Sequence, residues 1–175
     1  MAKKVAVLAV NPVNGFGLFQ YLETFYEKGI SYKVFAVSDS KAIHTNSGIA
    51  LQTDDVVANL KGHAGEYDAL LFSCGDAVPV FQQNADRDYN IDMLSVIREF
   101  AAENKLMIGH CAASLIFEIA GVTTGKKLAV HPLAKPAIQN GIPTDDAVTV
   151  DGNYYTAQCE HTISELLPEL LEVLR

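Results

Sequence analysis

The side chain best placed to do chemistry is Cys111, within "KLMIGHCAASLIFEIAG" from Lys105 to Gly121. An apolar run ends at Gly109, the cysteine follows two residues later, and a helical apolar pattern begins after it. A strand that turns directly into a helix holds the residue at the turn in a tight backbone, and small neighbours relieve the crowding. Gly109, Ala112 and Ala113 supply them, giving the G-x-C-x-A form of a nucleophile elbow. The first helical amides and the positive end of the helix dipole favour thiolate over thiol. A thiolate held at the top of a sheet can attack a carbonyl carbon or an oxidant. His110 is adjacent, but neighbouring strand residues point to opposite faces, which makes it a packing or interface residue. His44 and His63 read as surface residues. Cys74 and Cys159 read as small residues, since free cysteine is often simply buried. No C-x-x-C or H-x-x-x-H spacing occurs, so no metal is expected. "NGFG" (14–17) opens a helix but lacks the G-x-G-x-x-G pattern, and no cofactor is expected.

The elements that would carry this cysteine alternate. "KVAVLAV" (4–10), "SYKVFAVS" (31–38), "DALLFSCG" (68–75) and "LMIGH" (106–110) are apolar runs of the kind found in strands buried on both faces. Between them lie helical patterns. The first, 16–29, has Phe19, Leu22 and Tyr26 at helical spacing and ends at Gly29. The second, 90–104, has Ile91, Leu94, Ile97 and Ala101 on one face and Asn90 as its cap. A third follows Cys111 and stops at Gly121. Residues 41–54 read as two short strands around Asn46-Ser47-Gly48, with Thr53 capping a short helix to Leu60. "LAVHP" (128–132) reads as a short strand and "LAKPAIQNG" as a short helix. Residues 146–159 read as a hairpin turning at Asp151-Gly152. The last helix, 162–175, has Thr162 and Glu165 in capping-box positions and Pro168 inside it. Buried strands alternating with helices predict an α/β fold with a mostly parallel sheet. Sites in such sheets lie beyond the carboxyl ends of the strands, which directs attention to 11–17, 73–78 and 109–113.

The whole chain sets the setting. Its 175 residues, about half hydrophobic, are enough for one domain with a substantial core, and no linker or repeat divides them. A net charge of -8 with only three arginines (Arg87, Arg98, Arg175) argues against nucleic acid and anionic membranes as partners. "MAKKVAVLAVNP" has too short an apolar run for a signal peptide, and no stretch is long enough to span a membrane. The expected location is the cytoplasm, with all three cysteines as thiols.

"IGHCAASLIFEIAGVTTGKKLAVHPLAK", preceded by "YDALLFSCG", resembles the ThiJ/PfpI family, which includes intracellular protease-like proteins and the parkinsonism-associated protein deglycase. The similarity runs across almost the whole chain. It implies a flavodoxin-like three-layer sandwich, a homodimer, and Cys111 as the nucleophile or oxidation-sensitive thiol. It also implies an oxyanion hole from the Gly75 and Ala112 amides, and a histidine near the cysteine at His131. Three positions depart from the pattern. Ala112 stands where the protease-like branch carries its histidine. Gly17 stands where the first strand-to-helix loop usually supplies an acid to the cysteine. Cys74 replaces the first glycine of a "GG" pair, either filling the same space or placing a second thiol near the first. "AQCEHT" (157–162) replaces small and proline residues and is expected to face the pocket. It brings Glu160 and His161, with His161 either a general base held by Glu160 or a solvated residue at a helix start.

The expected function is therefore a cysteine-nucleophile enzyme acting on a small carbonyl or amide substrate. The alternatives are a thiol redox sensor or chaperone-like dimer using the same cysteine, and a binding module that has lost its chemistry.

Overall fold

A computed structural model describes residues 3–175. In chain order its strands and helices are β1 (Lys4–Val10), α1 (Gly15–Lys28), β2 (Ser31–Val37), β3 (Ala42–His44), β4 (Ala50–Gln52), β5 (Asp55–Val56), β6 (Ala69–Ser73), α2 (Asp88–Ala102), β7 (Leu106–His110), α3 (Ala113–Ala120), β8 (Lys127–Ala129), β9 (Ile142–Thr144), β10 (Val148–Asp151), β11 (Tyr154–Ala157) and α4 (Ile163–Leu174). Seven strands form one sheet in the order β10-β11-β7-β6-β1-β2-β5. All its pairings are parallel except β10 with β11. α1 packs with α4 and α2 with α3, so the sheet lies between two helical layers. This is the expected α/β, flavodoxin-like architecture. The four apolar runs are its central strands. From Val5 to Val10 and from Ala69 to Ser73 every residue is buried. No helix among the described residues is long and apolar enough to cross a membrane.

Several local expectations change. The buried face of α1 is Leu18, Tyr21, Leu22 and Phe25, whereas Phe19 and Tyr26 are exposed. A stripe wider than one residue fits two phases, and the sheet selects the one that buries most area. α2 begins at Asp88, and Asn90 lies buried inside it, donating from Nδ2 to the Asn84 carbonyl at 2.8 Å. Ile91 of that helix is exposed, while Met93, Val96, Ile97 and Phe100 are buried. Thr53 caps no helix. Its hydroxyl donates to the Lys41 and Asp55 carbonyls, and the segment to Leu60 is the short strand β5 followed by a 3₁₀ turn. The hairpin turns on Gly152-Asn153, one residue later than read, because Asp151 pairs with Tyr154 and Gly152 takes the positive φ of 58°. β9 was not foreseen; it pairs in parallel with β8. The Thr162–Glu165 capping box does not form, since the Thr162 hydroxyl exchanges bonds with Cys159 instead. α4 runs through Pro168 and buries Ile163, Leu166, Leu170 and Leu174.

The crossover places the site. The chain runs from β1 through α1 to β2 on one side, then returns to lay β6 and β7 on the other. The loops after β1 and β6 therefore diverge at a switch point, where a crevice opens in such sheets. They also pack closely. A Cβ at Gly75 would lie 2.2 Å from the Pro12 carbonyl oxygen, which excludes any side chain there. The Asn14 N–H donates to the Cys74 carbonyl at 2.9 Å and locks the two loops together.

Candidate active site

Cys111 sits immediately after β7 with φ of 59°, a left-handed conformation uncommon for a residue with a side chain. Both its backbone groups are pinned. Its N–H donates to the Ala157 carbonyl at 3.1 Å, and its carbonyl accepts from the His131 N–H at 3.0 Å. Gly109 explains the tightness, since a Cβ there would meet the Ala113 Cβ at 2.4 Å. The glycine lets the start of α3 rest on β7, which is the physical content of the G-x-C-x-A spacing.

The half-buried cysteine opens onto a cavity of about 520 Å³. The wall includes Val78, Phe81, Leu115 and Ile119 on its apolar side, and Asn14, Asn46, His131 and Glu160 on its polar side. Cys74 and Gly75 from the loop after β6 complete the floor. The Cys111 thiol is held below its ordinary pKa, chiefly by a hydrogen bond from the Cys74 thiol. The Ala112 amide acts in the same direction, while partial burial and the Glu160 carboxylate oppose it. Cys74 is pushed up by that same bond and by burial, and so remains a thiol. Donor and acceptor roles are thus divided: Cys74 donates, Cys111 accepts.

Gly17 lacks an acid for a steric reason visible in the fold. A Cβ there would lie 2.6 Å from Nε2 of His110, so the histidine ring fills the space an acidic side chain would need. His110 is buried against α1, with its Nδ1 3.5 Å from the Tyr21 hydroxyl, yet it also lines the cavity beside Cys111, which strand alternation did not predict. Its Nε2 has no hydrogen-bond partner. Burial pulls its pKa down to about 4, so the ring is neutral at physiological pH. In place of that acid the Cys74 thiol donates to Cys111, which is the second of the two readings that the sequence left open for Cys74. The signal was present, a cysteine at the end of one buried strand and another at the end of the next, but their register was not.

His131 lines the cavity, and its Nδ1 accepts from the Leu133 N–H at 3.2 Å. That bond leaves the proton of the neutral ring on Nε2, which makes His131 a donor toward the cavity. Glu160 also lines it. His161 does not: its side chain is 75% exposed, 3.8 Å from Glu160 and beside the exposed ring of Phe16. Cys159 is half-buried and free. His44 and His63 are exposed, with His63 paired to Glu66 at 2.5 Å. Among the described residues no group of three or more His, Cys, Asp or Glu is arranged to hold a metal ion.

A mostly parallel α/β sheet with a cysteine elbow beside its switch point defines a class of proteins built around a thiol at the top of the sheet. Comparison with known proteins narrows the class: the chain belongs to the DJ-1/PfpI family, whose model matches residues 3–173. It is 66% identical over its full length to Protein ppBat of Bacteroides thetaiotaomicron, covering all of both chains. A crystal structure described as "putative protease I" from Bacteroides thetaiotaomicron superposes with a TM-score of 0.98 at 66% identity, covering 99% of this chain and 100% of that one. Drosophila melanogaster DJ-1beta shares the fold with a TM-score of 0.84 at 22% identity, over 99% of this chain and 91% of that one.

Proposed function

We propose that the protein is a cytoplasmic, homodimeric enzyme that uses Cys111 as a nucleophile on a small carbonyl or amide substrate. The observation that carries this reading is the half-buried Cys111 sulfur at the floor of the cavity, held toward thiolate by the Cys74 thiol and the Ala112 amide. The cavity volume falls in the range of small-molecule sites, and its apolar wall suits a substrate with a short hydrophobic part. Sγ attacks the carbonyl carbon, and the oxygen takes up the negative charge. The Gly75 and Ala112 amides serve as donors to that oxyanion. His131, whose Nδ1 is taken by the Leu133 N–H, adds a third donor at Nε2. Acting as a base at Nδ1 would break its bond to Leu133, so His131 serves this site better as a donor.

The protease description of the 66% identical relative supports acyl chemistry in particular. The histidine that would pair with the cysteine in that branch is replaced by Ala112, which favours small activated carbonyls over peptides. The decisive experiment screens aldehydes, thioesters and small amides against the wild type and Cys111→Ala. Turnover lost by at least about a hundredfold in the variant supports the reading. Turnover retained in the variant overturns it.

A further inference from the structure

The nucleophile reading uses Cys74 only as a donor, yet its placement equips it for more. In the parallel β6–β7 pair Phe72 lies opposite Gly109. The ladder ends there, and Cys74 and Cys111 each follow by two residues, in the loops that leave the adjacent ends of β6 and β7. Parallel neighbours are about 4.8 Å apart, within the roughly 4.4–6.8 Å between Cα atoms that a disulfide spans. The last paired residues face α3: Phe72 packs its ring against Phe117, and Gly109 lies against Ala113 at the start of that helix. Both cysteines line the cavity, and the Ala112 amide bears on both sulfurs. Cys74 is 3% exposed, so its sulfur has little access to anything but its neighbour.

We propose that Cys111 and Cys74 form a dithiol–disulfide site that reduces small hydroperoxides, with Cys111 reacting first and Cys74 resolving. The inference rests on the Cys111 thiolate of the proposed function and adds a second substrate class to it. The Cys111 sulfur attacks the outer oxygen of the hydroperoxide, the O–O bond breaks, and the alcohol or water leaves with a proton. Cys111 is then a sulfenic acid. The Cys74 sulfur gives up its proton and attacks Sγ of Cys111. The S–S bond forms, the S–O bond breaks, and hydroxide departs with that proton as water. Two thiols and one hydroperoxide become a disulfide, an alcohol and water, a two-electron exchange. A small-molecule dithiol returns the two electrons through the more accessible Cys111 sulfur. The order is built in. The Cys111 thiolate and burial together hold Cys74 protonated, and oxidation of Cys111 removes the first of these. A neighbouring thiol that captures the sulfenic acid also spares it from the irreversible sulfinic step.

Trypsin places the three cysteines in separate peptides, so the product can be mapped directly. The wild type is treated with one equivalent of hydrogen peroxide without reductant, then alkylated after denaturation. The expected result is loss of two of the three free thiols, recovered as a Cys74–Cys111 cross-linked peptide and reversed by dithiothreitol. In Cys74→Ser the sulfinic acid of Cys111 should accumulate about tenfold faster than in the wild type. Sulfinic acid at Cys111 of the wild type with Cys74 still alkylatable overturns the proposal, as does a disulfide to Cys159. If Cys74→Ser does not fold, the wild-type map decides alone. Iodoacetamide separates the two readings. Rapid alkylation of native Cys111 without disulfide formation rejects only the pair, whereas a sluggish, unoxidised Cys111 rejects the thiolate and the pair together.

Discussion

Each thiol at this site is defined by what stands next to it. The Cys111 pKa is lowered by a hydrogen bond from Cys74 and by the Ala112 amide, against the opposition of partial burial and Glu160. The balance can be moved from either side. Replacing Glu160 with Gln removes a negative charge that favours the neutral thiol, so the Cys111 pKa falls. Below that pKa the thiolate fraction rises, and native-state alkylation should speed up about two- to fivefold; above it the rate should not change. Iodoacetamide kinetics against pH, followed by mass spectrometry at Cys111, read this directly. An unchanged profile would mean that solvent screens Glu160 completely. His110, beside Cys111 in sequence, is held by burial rather than by a charged partner: it fills the space at Gly17 and contributes to the wall of the same cavity.

At the scale of elements, the site depends on close approach between loops that no local pattern encodes. Gly75 is a glycine because the β1–α1 loop presses on it, with the Pro12 oxygen, the Val13 Cα and the Asn14 nitrogen all within 2.8 Å of a hypothetical Cβ. These are backbone atoms and cannot step aside. Gly75→Ala should therefore cost about 3 kcal/mol in urea denaturation and slow alkylation of Cys111 as the cavity floor shifts. Gly17 and His110 form a second such contact, between α1 and β7. Gly17→Ala alone forces its Cβ against the imidazole, but the same change in a His110→Ala background has room. A double-mutant cycle should give a coupling of about 1–2 kcal/mol, the pair being less destabilised than the sum of its parts. Additive effects would show that the ring moves aside freely.

For the molecule as a whole, the buried neutral histidine links global stability to pH. His110 titrates near 4 when folded and near the ordinary value of about 6.5 when unfolded. A group with a depressed folded pKa that is uncharged when deprotonated is neutral in both states above 6.5, so its full stability is present there. Between about 6.5 and 4 the unfolded chain takes up a proton that the folded chain refuses, and stability falls as pH falls. The loss from this residue is on the order of 3 kcal/mol by pH 4. Denaturation midpoints for the wild type should decline across that window, and His110→Phe should flatten the decline. An equal slope in both proteins would assign the acid sensitivity to other groups. The net charge of -8 acts on a different property: it bears on solubility and association rather than on the fold.

Much of this was legible in the residues themselves. Continuous apolar runs marked the central strands, since a strand covered on both faces needs no polar side. The glycine and alanines around Cys111 marked the elbow, since only small side chains fit where a strand turns into a helix. Phase and partnership were less accessible. The buried face of α1, the inward position of Asn90 and the pairing of β8 with β9 were decided by what packs against them. His131 reached the cavity through the resemblance to a family, and His161 stayed at the surface although its type and position suited a base. Local chemistry thus determined where the elbow cysteine stands and which backbone bends to hold it. The thiol that donates to it, the histidine that displaced an acid and the shape of the cavity were decided by tertiary structure alone. The physical reason is that strand register and loop contact join residues tens of positions apart, and hydrogen bonds and steric exclusion act only at distances that the completed fold creates.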